Sequence, residues 1–176
     1  MSGVEEITNL CATPYGTRKT IYSWNMDARQ EPSGKWSYMT RTGSQPNGTF
    51  AFQMGYNTKT VGDVLVCVFS CDRPDLMIVP RGTSQPRISG TETTEGAAVS
   101  ERMGWVAGRL AATSGAHELW VPQEAGWLTL EGCAVFSVDD WPQVRKLLDA
   151  GDLPMAWFAP PRDAASGETR PPVLVP

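Results

Sequence analysis

Residues 63–71, DVLVCVFSC, carry apolar side chains at every position from Val64 to Phe69. Strand side chains alternate between two faces, so this run predicts a central strand covered on both sides. Elsewhere the alternation is one-sided. Thr20–Met26 sets Tyr22, Trp24 and Met26 against Ile21, Ser23 and Asn25. Lys35–Thr42 gathers Trp36, Tyr38 and Thr40, and Thr49–Tyr56 gathers Phe50, Phe52 and Met54. The turn formers of Gly43–Gly48 between the last two predict a hairpin. After a turn at Asp72–Asp75, Leu76–Val79 reads as a short strand stopped by Pro80, and Glu118–Val121 reads as another.

Trp127–Gly151 predicts a hairpin running into a helix. Glu131-Gly132 separates Trp127–Leu130 from Cys133–Val138 with Gly second, the residue a tight two-residue loop favours. Asp140 with Gln143 three residues on is a capping-box variant, and Pro142 falls in the first turn. Trp141, Val144, Leu147 and Leu148 form one apolar face at helical spacing. Gly151 ends the helix, and Pro154 prevents its resumption.

Two further segments complete the pattern. Arg81–Ser100 is almost wholly polar and reads as a long surface loop with room for a short strand at Pro86–Ser89. Ser100–Thr113 reads as a helix capped by Ser100, with Met103, Val106, Ala107 and Leu110 as its stripe. Gly104 and Gly108 weaken it by about 1 kcal/mol each relative to Ala. The expected fold is α+β: a mainly antiparallel sheet with two N-terminal hairpins and a C-terminal hairpin, and two helices packed on it. Residues 1–18 form an N-terminal arm, 19–158 one domain with the polar loop at 81–100, and 159–176 a Pro-rich tail.

Composition narrows the function classes. Hydrophobic content of 41% and charge of 19% are those of a globular chain able to bury its own core. A net charge of −4, with Lys and Arg scattered singly or in pairs, lacks the basic stripe that phosphate binding needs, so no nucleic-acid partner is expected. The longest apolar run is too short to span a membrane, and MSGVEEITNL lacks the apolar segment of a signal peptide. A cytoplasmic protein is expected, with Cys11, Cys67, Cys71 and Cys133 as free thiols.

Candidate chemistry is sparse. His117 is the single histidine, and Ser114, His117 and Glu118 are close in sequence. Triads are assembled by tertiary geometry, so His117 reads first as a turn residue and only weakly as a base. Asp139 and Asp140 form an acid pair that helix capping already explains. Cys67 and Cys71 lie four apart on one strand face, too distant to share an ion, and read as small buried hydrophobes. No motif calls for a cofactor or a metal.

Seven tryptophans are the unusual feature. Trp24, Trp36, Trp105, Trp127 and Trp141 fall in core patterns, while Trp120 and Trp157 are less constrained. Aromatics and arginines are enriched at recognition hot spots. The leading expectation is a non-catalytic interaction or accessory/assembly protein that uses a surface patch to bind a protein partner or itself. Trp120, Trp157, Arg81 and Arg87 are its candidate contacts. The alternative is a small-ligand or peptide binder with an aromatic-lined pocket between sheet and helices. A hydrolase-type enzyme using His117 ranks third.

Overall fold

The computed structural model describes residues 7–8, 26–32, 36–40, 47–52, 60–79, 86–112, 117–122, 124, 126–151 and 173–174. The first strands along the chain are β1 (Ile7–Thr8), β2 (Met26–Gln30), β3 (Trp36–Thr40), β4 (Asn47–Phe52) and β5 (Val64–Cys71). Helix α1 (Pro74–Ile78) follows, then strands β6 (Thr91–Ala98), β7 (Met103–Leu110), β8 (His117–Pro122) and β9 (Trp127–Phe136). Helix α2 (Trp141–Ala150) and strand β10 (Val173–Leu174) complete the order. A six-stranded antiparallel sheet runs β2-β3-β9-β5-β7-β6, and β1-β10 and β4-β8 form separate antiparallel pairs. The fold is α+β, as the sequence pattern predicts.

The apolar run of β5 sits inside this sheet between β9 and β7, and each of its faces feeds a separate core. Leu65, Cys67, Phe69 and Cys71 point to one side, where Met77 of α1, Ile88, and Leu119 and Val121 of β8 close over them. Val64, Val66 and Val68 point to the other, where Trp105, Phe136 and Trp141, Val144 and Leu148 of α2 pack. A strand covered twice has no place for polar side chains until Ser70, which is half-buried.

The predicted C-terminal hairpin is one continuous strand. Glu131-Gly132 resembles a two-residue turn, yet β9 passes straight through it and pairs with β5 along its length. Val68 faces Gly132 and Phe69 faces Leu130, so Glu131 is the extra residue of a β-bulge. The bulge shifts the two-residue alternation by one. Leu128 and Leu130 before it therefore share a core with Cys133 and Val135 after it. Gly132 does not adopt the positive φ that a tight hairpin turn would demand; Gly62, Gly90, Gly126 and Gly151 do.

The polar loop and the helix after it are corrected together. Residues 91–98 form β6 and 103–110 form β7, a hairpin whose turn is closed by Val99 N–H to Met103 O at 2.9 Å. Ser100 caps no helix: its Oγ accepts the Met103 N–H at 3.0 Å across the hairpin turn. The glycines show why β7 is a strand. A Cβ on Gly104 would lie 3.0 Å from the Phe69 ring, and one on Gly108 would lie 2.5 Å from Thr91 Oγ1. Both are close-approach sites on a strand.

Other local readings also change. The first N-terminal hairpin is present as β2–β3, with its first strand later than the predicted 20–26. The second is not, because β4 pairs with β8, Phe50 opposite Leu119. An alternating strand fits either partner, so the local pattern does not select β8. Leu76–Val79 is mostly the helix α1, with Pro74 at its first turn. Helix α2 stands as predicted and ends at Gly151 in the left-handed conformation, φ 71°. Its start differs: Asp140 makes no side-chain capping bond, and Ser137 Oγ accepts the Asp140 N–H at 3.1 Å instead.

Candidate functional site

At one end of the large sheet, the β5–α1 turn, the β6–β7 turn and the start of β9 meet. Asp72 follows the last residue of β5, Arg102 precedes β7, and Trp127 opens β9. Asp72 Oδ1 accepts the Trp127 indole N–H at 2.6 Å and an Arg102 guanidinium N–H at 2.7 Å. Cys71 N–H donates to Arg102 O at 2.9 Å, so the two turns are also tied through the backbone.

Gly126, at φ 71°, brings the chain so close that a Cβ there would meet Asp72 Oδ2 at 2.7 Å. The cluster is at the surface: the Arg102 side chain is 65% exposed and that of Asp72 41%. Beside them Arg73 pairs with Asp75 at 2.7 Å, and Val99 is exposed in the β6–β7 turn. The result is an aromatic ring and a guanidinium anchored to one carboxylate before anything binds.

Of the sequence-predicted contacts, Arg87 and Trp120 lie outside this cluster and bond to each other. Arg87 is buried, and its guanidinium is engaged by Val79 O at 2.6 Å, Leu76 O at 3.1 Å and Trp120 O at 3.1 Å. It closes the carbonyl end of α1 and ties β8 to it. Trp120 is half-buried on β8, and its N–H donates to Arg87 O at 2.9 Å. Arg81 and Trp157 lie outside the described residues.

His117 is buried at the start of β8, its Nδ1 3.0 Å from Ser89 O. Glu118 is the next residue along the strand and projects to the opposite face, so imidazole and carboxylate are not brought together. Asp139 is exposed ahead of α2, beside half-buried Asp140.

Cys67, Cys71 and Cys133 are buried free thiols, and burial pushes the Cys71 thiol up to about 11. Cys11 lies outside the described residues. Among the described residues no group of His, Cys, Asp and Glu is placed to hold a metal ion. No helix among them is long and apolar enough to cross a membrane. Trp105, Phe136 and Trp141 pack together between the sheet and α2. The Trp105 and Trp141 rings meet edge-on with centroids 6.0 Å apart.

Sequence reasoning missed the surface cluster for a definite reason. Asp72 reads as a turn former, Arg102 as a helix residue and Trp127 as core, and nothing local links three positions so far apart in the chain. Trp127 is in fact half-buried, with its polar edge turned to Asp72. No protein-family model, curated protein or solved structure matches this chain.

Proposed function

We propose that this chain is a non-catalytic interaction protein that binds a protein partner through the Trp127–Asp72–Arg102 patch. The observation that carries this reading is the shared carboxylate. Trp and Arg are the side chains most enriched among energetic anchors of protein interfaces. Immobilising such side chains on binding costs about 0.5–1.5 kcal/mol each, and here Asp72 has already oriented both. An exposed arginine and a tryptophan indole that share one carboxylate, flanked by Val99 and the Arg73–Asp75 pair, mix apolar and charged surface as a partner-binding patch requires.

The test compares the full chain with Arg102→Ala, each immobilised and exposed to the same extract, alongside light scattering over a range of concentrations. A specific partner, or self-association, weakened about 5- to 30-fold by the substitution is expected of an anchor residue worth 1–2 kcal/mol. A chain that stays monomeric and retains the same proteins with and without the Arg102 side chain sinks the proposal.

A further inference from the structure

We propose that Cys67 and Cys133 form a thiol–disulfide switch that locks the two central strands of the sheet together in the presence of a peroxide. The two residues are direct partners in the β5–β9 register. Their sulfur atoms lie 3.9 Å apart, and both residues are fully buried as free thiols. Facing residues in an antiparallel pair hold their Cα atoms about 4.5–5.5 Å apart, within the span that a disulfide bridges. The bond therefore closes by side-chain rotation, with the strands left in register. The pairing is specific. Cys71 lies four residues along on the same face, but its partner across the ladder is Leu128.

The chemistry balances with hydrogen peroxide as the oxidant. One sulfur attacks a peroxide oxygen, breaking the O–O bond and giving a sulfenic acid and water. The second thiol then displaces the hydroxyl as water and forms the S–S bond. Two thiols and one peroxide give one disulfide and two waters; sulfur is oxidised and the peroxide oxygens are reduced. Peroxide is nearly as small as water, which suits a pair with no open approach. Burial, reinforced by the neighbouring Cys67, holds the Cys133 thiol well above its ordinary range, so thiolate is scarce at neutral pH. Oxidation is accordingly slow near pH 7 and faster as pH rises.

The experiment treats the folded full chain with hydrogen peroxide at pH 7 and pH 9, blocks remaining thiols with an alkylating agent under denaturing conditions, and maps the peptides without reduction. The expected result is an intact mass lower by two hydrogens before alkylation, and after it a peptide pair joined through Cys67 and Cys133. The link should form faster at pH 9 and open again with dithiothreitol. The melting temperature should rise by several degrees on oxidation, because the link closes a long loop in the unfolded chain. Cys133→Ser should show neither the link nor the rise. Recovery of both residues alkylated, oxidation of either one alone to sulfinic acid, or linkage mainly through Cys11 or Cys71 overturns the proposal. The wild-type peptide map decides the matter even where Cys133→Ser does not fold.

Discussion

Trp141 donates its indole N–H to Glu95 Oε1 at 3.0 Å, a bond that joins helix α2 to the edge strand β6. Arg145, one helical turn further on, pairs with Oε2 of the same carboxylate at 2.8 Å. One side chain on the sheet thus holds two positions of the helix. Trp141 is 3% exposed, so its N–H has no ready access to water if Glu95 is removed. Glu95→Ala should cost about 1–2 kcal/mol in urea unfolding. Glu95→Gln, which keeps an acceptor, should cost less, and Arg145→Ala should stay within about 0.5 kcal/mol because its ion pair is exposed. Equal losses for all three would show that the carboxylate does not anchor the helix.

Gly108 distinguishes a strand from a helix by the sign of one substitution. In a helix, Gly→Ala gains about 1 kcal/mol. In β7 the new methyl meets Thr91, whose Oγ1 is itself committed to Ile88 O at 2.7 Å. Gly108→Ala should therefore destabilise by about 1–3 kcal/mol, measured by chemical denaturation. A stabilised variant would contradict the strand assignment.

The bulge at Glu131 makes a deletion informative. Removing Glu131 restores simple alternation and drives Leu128 and Leu130 toward the α2 face, away from the core they share with Cys133 and Val135. The deletion should abolish cooperative unfolding in a thermal melt. Glu131→Ala leaves the residue count intact and loses the bond from Ser70 Oγ, 2.6 Å long, for about 1 kcal/mol. A deletion variant as stable as Glu131→Ala would rule out a register-setting bulge.

Asp63 makes stability depend on pH. Burial raises its carboxyl above the ordinary value of 3.8, and the backbone N–H of Thr60 offsets this only in part. The folded state then holds the proton more tightly than the unfolded chain. The contribution of Asp63 to stability is therefore best below pH 3.8 and falls as pH rises through the raised folded value. Asp63→Asn keeps an oxygen acceptor and removes the charge. It should raise the urea midpoint at pH 7, with the gain shrinking toward zero at pH 3.5. A gain that persists unchanged at the lower pH would assign the effect to something other than the charge.

The parts of the fold legible in the sequence are those in which local composition leaves one physical solution. Six apolar residues in a row, Val64 to Phe69, must be covered on both faces, and β5 has a core on each side. The stripe of Trp141, Val144 and Leu148 with a glycine terminator specifies α2, since spacing and stop signal lie within the helix itself.

What the tertiary structure decided depends on neighbours that no local window contains. Gly104 and Gly108 look like flaws in a helix until the Phe69 ring and Thr91 lie against them. Glu131-Gly132 looks like a turn until β5 runs alongside and the extra residue brings four apolar side chains to one face. Arg87, a plausible surface contact by type, is drawn inward by the carbonyls at the end of α1. The candidate site follows the same rule. Asp72, Arg102 and Trp127 become one unit only where three chain segments meet, because a hydrogen bond depends on distance in space and carries no trace of separation along the chain.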